Sequence, residues 1–370
     1  VAAHRARAQL DRRMSGFSGS YAPEDVTFLL KPAAVALTGV AEKEALIQSG
    51  ARHYSEMLSE ERLPDDRYLA LYRAALARNG GRLRADVETL ADAIAARPET
   101  ARSCTIISLA RAGTPIGVLL RRALVRRGLD VAHYSISIIR GRGIDRVALA
   151  HIAALRGTAD AVFVDGWTGK GAITGELEAS LADGTAGFAP FLAVIADPAG
   201  CASLAATSED YLIPSGILGA IVSGLFSRSV LSEDLVGRGE FHACRHLTEH
   251  AAADQSRAFV DAIEAAPLPQ QTFPGWSPEG ARESRAACTA LVEGLMSEYA
   301  VTNVNRIKPG IAEATRAVLR RVPHAVFVRD PNDAEVAHLL HLADQSGVEV
   351  HQRELGNYRA VTLIAKAGDA

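Results

Sequence analysis

No apolar run in this 370-residue chain is long enough to cross a bilayer. The most apolar stretch, 216–226 (GILGAIVSGLF), is about half of the roughly 20 residues a spanning helix needs, and reads as a buried helix. Cysteine is scarce. Cys104, Cys201, Cys244 and Cys288 are far apart and form no CxxC, which fits a reducing cytosol better than a disulfide framework. An excess of one charge is missing too: 40 Lys and Arg face 43 Asp and Glu, so any polyanion site must be local. At 48% hydrophobic and 22% charged residues, the chain lies far from the composition of disordered proteins. The opening VAAHRARAQLDRRM is basic with no apolar run behind it, unlike a secretory signal. With Met14 the first methionine, residues 1–13 read as an upstream-start extension or a disordered tail. A cytoplasmic protein with no membrane partner is expected.

The length suggests two or three domains. In 64–99, Leu69, Tyr72 and Leu76 and then Val87, Leu90 and Ile94 repeat at helical spacing, and NGGR at 79–82 divides them into two predicted helices. After Arg102 short β-rich runs alternate with helical stretches: 105–110, 131–139, 161–165, 192–197 and, less distinctly, 211–214. That alternation predicts an α/β fold with a mainly parallel sheet. The stretch APLPQQTFPGWSP, 266–278, breaks the pattern. Ser277 and Pro278 then cap a helix reaching about Tyr299. Beyond it come a helix at 311–321, a strand at 325–328, a helix at 333–345 and strands at 348–352 and 361–365. The expected division is a helical section at 1–100, the sheet domain at 101–265, a linker and helix at 266–300, and a small α/β domain at 301–370.

The strongest motif is VFVDGWTGKGAIT, 162–174: a buried strand, an acid at its end, a glycine-rich turn and a helix. Turn N–H groups and a helix N-terminus at the carboxyl end of a parallel strand make an anion site, with phosphate the first candidate and a plain tight turn the alternative. It is neither a Walker A loop nor a GxGxxG fingerprint. Upstream, Arg111 in RAGTP at 111–115 is placed to fork onto phosphate oxygens at the same sheet edge. Arg140 and Arg142 in RGRGID, 140–145, read either as a mobile basic flap or as a solvated turn.

This order of strand, arginine loop, basic flap and acid-plus-glycine loop resembles the type I phosphoribosyltransferases. The resemblance implies a phosphoribosyltransferase-like parallel sheet, with pyrophosphate at Arg111, Ala112 and Gly113. It implies ribose at Asp165 and 5-phosphate at Thr168, Gly169, Lys170, Gly171 and Ala172. The chain departs from that family at Gly166, where a second acid is usual. The segments 15–32, 47–57, 133–145 and 164–173 together resemble the StiP-type stress-induced proteins of tellurite-resistance clusters. That resemblance implies a C-terminal Pelota-type RNA-binding domain.

Within 306–352, Lys308, Gly310, Glu313 and Arg316 fall where the Pelota module meets RNA, with Ala312 in place of its Asn. A patch for an anionic ligand made by Arg306, Lys308, Arg316, Arg320 and Arg321 explains the same residues. Some descriptions of the StiP type as a cysteine protease need a nucleophilic thiol with a histidine in reach. Cys244 has His242 and His246 near it in sequence only, and Cys104 reads as buried. His242, Cys244, His246 and His250 could offer metal ligands in part, and His53, Tyr54 and Glu56 could reach the pocket.

The function expected from the sequence is phosphoribosyl transfer. Asp165, Arg111, Arg140 and Arg142 would be catalytic, phosphoribosyl pyrophosphate or a nucleotide-like metabolite the substrate, and magnesium would arrive with the pyrophosphate. A non-catalytic phosphosugar sensor that binds structured RNA ranks next, and a cysteine peptidase last. A homodimer is left open.

Overall fold

The computed structural model describes residues 16–184 and 186–366, so the reading of residues 1–13 lies outside the described residues. The expected sheet is formed by β1 (Thr27–Leu29), β3 (Ser103–Ala110), β4 (Asp130–Ile139), β5 (Gly143–Ile144), β6 (Ala161–Trp167), β7 (Leu192–Ala196) and β8 (Leu204–Thr207), while β2 (Lys31–Pro32) follows β1 outside it. The order β1-β4-β3-β6-β7-β8 is parallel throughout. β5 turns back antiparallel on β4, and β2 pairs with β9 (Ala243–Cys244) apart from the main sheet.

Strand side chains alternate between faces, so each central strand feeds two cores. Ile106, Val162, Val164 and Ile195 pack on one face against Ile116, Leu119 and Leu120 of helix Gly113–Arg126 and Leu83 and Leu90 of helix Asp66–Ala95. Ile107, Leu109, Phe163 and Val194 pack on the other against Leu149 and Ile152 of helix Arg146–Arg156 and Leu177 of helix Ala172–Leu181. Helices on both faces explain why β3, β6 and β7 are largely apolar.

Three local expectations need correction. NGGR does not end a helix, because Asp66–Ala95 runs unbroken through it. A Cβ at Gly81 would lie 2.5 Å from the Pro267 carbonyl oxygen, so that glycine admits the proline-rich segment against the helix. Asn79 meanwhile donates to the Leu212 carbonyl at 2.8 Å. The 216–226 stretch is buried but not helical: it passes through short 3-10 turns at Pro214–Ile217 and Ala220–Val222. Residues 211–214 are likewise no strand, and the sheet's last strand is instead β8.

Ser277 caps helix Pro278–Glu298 by accepting the Gly280 N–H at 3.1 Å, as its sequence implies. The C-terminal sheet comprises β10 (Ile307–Pro309), β11 (Pro323–Val328), β12 (Val350–Gln352) and β13 (Ala360–Ile364), in the order β10-β13-β11-β12. Helices Ile311–Arg320 and Ala337–Gln345 cover one face. Ile311, Ala314, Val318 and Leu339 join the same apolar cluster as Tyr68, Tyr72, Ile213 and Ile217, so the two sheets share a core. The seam has polar locks as well. Glu335 accepts from Arg78 Nε at 2.7 Å and the Leu212 N–H at 2.6 Å, and Asp210 accepts the Ile311 N–H at 3.1 Å. Among the described residues no helix is long and apolar enough to cross a membrane.

Candidate functional site

The docked helix Ile311–Arg320 roofs the carboxyl ends of β3, β4 and β6 and encloses a cavity of about 310 Å³. Among the described residues that line it, nine are Lys or Arg, whereas Asp165 and Glu313 are the only carboxylates. The cleft is therefore strongly cationic within a chain of formal charge −3.

The first loop owes its place to Gly113, where a Cβ would lie 2.2 Å from the Val164 carbonyl oxygen; only glycine lets helix Gly113–Arg126 start against β6. Ala112 caps that helix at the cavity wall. Arg111 is less available than its position suggests. Its Nη2 binds Glu61 at 2.6 and 2.7 Å and its Nη1 binds the Phe226 carbonyl at 2.5 Å, so its charge already has a partner.

Asp165 stands at the end of β6 facing the cavity, and its Oδ1 accepts the Gly166 N–H at 2.8 Å. Burial pushes its carboxyl up to about 7, against the pull of that N–H and of Arg316. The following turn is held from outside: Thr168 donates its hydroxyl to Asp197 at 2.6 Å, and Lys170 donates to the Ile307 carbonyl at 2.6 Å. Burial lowers the Lys170 amine to about 8. Gly171 adopts φ +82° and leads into helix Ala172–Leu181.

Lys308, Glu313 and Arg316, the residues expected at the RNA contact, line the cavity. They point inward, because the apolar side of helix Ile311–Arg320 and its polar lock at Asp210 turn Glu313, Arg316 and Arg320 toward the cavity. Arg316 lies over Trp167 at 4.6 Å from the ring centroid. Burial opposes the Glu313 charge, yet Lys308, Arg316 and Lys170 hold its carboxyl below the usual range. Burial, with Lys170 nearby, lowers Lys308 to about 7. Gly310 has φ +94° and abuts Asp210 at the turn into helix Ile311–Arg320. Arg320 and Arg321 of the alternative anionic patch also line the cavity, but Arg306 does not, since it binds the Ile364 carbonyl.

The 140–145 segment, read as a flap or a turn, is a turn held by hydrogen bonds in the structure. Glu176 accepts the Gly141 and Gly143 N–H groups at 2.6 and 2.8 Å, and the Tyr54 hydroxyl accepts the Arg140 N–H at 2.8 Å. Arg140 lines the cavity; Arg142 lies outside it and pairs with Glu56 at 2.8 Å. Tyr54 thus reaches the pocket as read from the sequence. Lys43 and Arg228, also in the wall, escaped that reading because each lies in a segment without a phosphate motif.

Among the described residues no hydrogen bond joins a cysteine to a histidine. Cys244 is fully buried, His242 binds Ser137 at 2.8 Å, and His246 stacks on Phe226 at 4.5 Å. Cys104 is buried as read, and Cys288 nearly so. Cys201 differs: its side chain keeps partial exposure beside Gly171, 3.6 Å from the Thr174 hydroxyl, and its N–H donates to Asp197 at 2.9 Å. Burial, reinforced by Asp197, pushes its thiol up to about 12. No group of three His, Cys, Asp or Glu placed to hold a metal occurs among the described residues. Among the described residues, Asp165 and Glu313 are the only carboxylates the cavity would offer a divalent ion.

Residues 19–264 match the family model described as "Tellurite-like stress resistance cysteine protease StiP". The chain belongs to the StiP family. The StiP match adjoins a second one, in which residues 286–366 match the PELOTA RNA binding domain. A relative named "Cysteine protease StiP" from Acinetobacter baylyi is 44% identical over 368 residues, covering 95% of each chain. Among solved structures, a mutant hypoxanthine phosphoribosyltransferase from Trypanosoma cruzi complexed with the product IMP is 14% identical. It covers 50% of this chain and 90% of its own at a TM-score of 0.27, which carries no argument about function. Phosphoribosyl transfer is accordingly corrected: both the StiP family description and the 44%-identical relative name a cysteine protease, the reading ranked last from the sequence.

Proposed function

We propose that this protein is a cysteine-dependent peptidase of a tellurite-type stress response, with Cys201 as its nucleophile. The observation that carries the assignment is relative exposure: Cys201 is the one of the four cysteines that keeps partial exposure, while Cys104, Cys244 and Cys288 are buried. Its thiol lies beside the entry to helix Ala172–Leu181, and the N-terminal end of a helix favours a thiolate. In the proposed reaction the sulfur attacks the scissile carbonyl, a C–S bond forms, and the C–N bond breaks as the amine leaves with a proton. Water then hydrolyses the thioester. The resting thiol is protonated, so a base must act. With no histidine bonded to Cys201 among the described residues, Lys170 on the adjoining turn is the candidate, because a buried amine lowered to about 8 is partly neutral near pH 7. Iodoacetamide labelling mapped by mass spectrometry tests the assignment. Cys201 should be alkylated first, with loss of peptidase activity in step; labelling confined to Cys288 would overturn it.

The PELOTA match supports structured RNA as a partner of the C-terminal domain. Because Lys308, Glu313 and Arg316 face the cleft, RNA is proposed to meet the outward edge, where exposed β12 lies near Arg329 and Arg353. Retention of bulged RNA at low salt, lost on Arg329→Ala with Arg353→Ala, tests that surface.

A further inference from the structure

Among the described residues, three cations beyond the glycine turn make no direct ion pair, although Glu61 acts on Arg228 and Arg320 and Glu44 on Lys43 from farther off. Lys43, Arg228 and Arg320 line both the 310 Å³ cavity and a larger one of about 810 Å³, whose walls include Leu37, Leu58, Tyr68 and Ile217. The neighbouring charges are already matched: Arg321 binds Glu44 at 2.8 Å, and Arg111 binds Glu61. Lys43 is only 5% exposed, yet its ammonium makes no hydrogen bond among the described residues, and the Arg320 guanidinium makes none either. Arg228 directs Nη2 to the neutral carbonyls of Tyr54 and Met57, while its Nη1 is buried without a partner. Burial, with Arg228 and Arg321 nearby, lowers Lys43 to about 7, and burial with Arg111 nearby lowers Arg320 to about 9 against the pull of Glu61. Cations gathered in an enclosed space are unfavourable unless an anion joins them. One ammonium and two guanidinium groups match the charge and donor demand of a phosphate.

We propose that Lys43, Arg228 and Arg320 form a phosphate-binding site for a small phosphomonoester whose apolar or aromatic body occupies the 810 Å³ cavity. The site is independent of the peptidase assignment. Its residues come from helix Val40–Gln48, the 227–231 loop and helix Ile311–Arg320, so occupancy would tie the N-terminal section, the main sheet domain and the C-terminal domain together.

Calorimetry and thermal melts of the full chain with inorganic phosphate and with phenyl phosphate, at matched ionic strength, test the site. Phenyl phosphate should bind saturably with one site per chain, at least about tenfold more tightly than inorganic phosphate, and should raise the melting temperature. Lys43→Met and Arg320→Met should each weaken binding about tenfold or more while raising the melting temperature of the anion-free protein, since each removes an unpaired charge. Arg282→Ala, on an exposed helix face, should change neither. Absence of saturable binding, or equal affinity in wild type and both Met variants, would overturn the site. Equal affinity for the two anions would overturn the apolar half of the proposal.

Discussion

The Tyr358 hydroxyl donates to the Gly169 carbonyl at 2.7 Å, fastening the C-terminal domain to the turn that walls the cleft. The fit is close. A Cβ at Gly169 would lie 3.0 Å from Glu313 Cγ and 3.3 Å from the Pro309 carbonyl oxygen. Tyr358→Phe keeps the ring but leaves a shielded carbonyl without its donor, and should lower stability by about 1–3 kcal/mol in urea denaturation. A change near zero would mean that water replaces the hydroxyl and the fastening is dispensable.

The two adjacent glycines of helix Asp66–Ala95 should respond differently to alanine. In a helix, Gly→Ala normally stabilises by about 1 kcal/mol. Gly80→Ala meets its nearest neighbours at 3.7 Å and should follow that rule. At Gly81, where a Cβ would come within 2.5 Å of the Pro267 carbonyl oxygen, alanine should destabilise the protein, because that neighbour is backbone. Urea midpoints of the two variants check the contrast; stabilisation by both would place the proline-rich segment elsewhere.

That pair also shows what the sequence concealed. NGGR carries the signature of a break, and only the approach of a segment some 185 residues later reverses its meaning. The strands β3, β6 and β7 were legible because burial on both faces leaves largely apolar runs. Helix Pro278–Glu298 was legible from its Ser-Pro cap. Three-residue β1 carries too little pattern. Within the site, the 165–172 turn declared itself through its glycines. The pairing of Arg111 with Glu61 did not, since nothing local links residues fifty positions apart. Nor does periodicity say whether the charged stripe of helix Ile311–Arg320 meets solvent or a second domain. Docking against Asp210 and the shared core decides that.

Asp165 should leave a signature in the pH dependence of stability. Its folded carboxyl, at about 7, stands above the value of about 3.9 for an unfolded chain, so the folded state holds the proton more tightly. The associated stability is complete below about pH 4 and is lost as pH rises through 7. Asp165→Asn cannot titrate. Relative to wild type it should gain stability progressively between pH 4 and 8, by a few kcal/mol at most. Paired denaturation curves at pH 4.5 and 8 measure this; a flat difference would mean that Asp165 is well solvated or ion-paired.

The peptidase assignment stands or falls on hydrolysis. Purified full-length protein should be assayed against casein and a fluorogenic peptide library beside Cys201→Ala, Cys288→Ala and Lys170→Met, with folding of each variant checked by circular dichroism. The account predicts thiol-dependent cleavage by wild type and Cys288→Ala, loss of at least about a hundredfold in rate for Cys201→Ala, and a substantial loss for Lys170→Met. A folded Cys201→Ala variant that cleaves at the wild-type rate would contradict it.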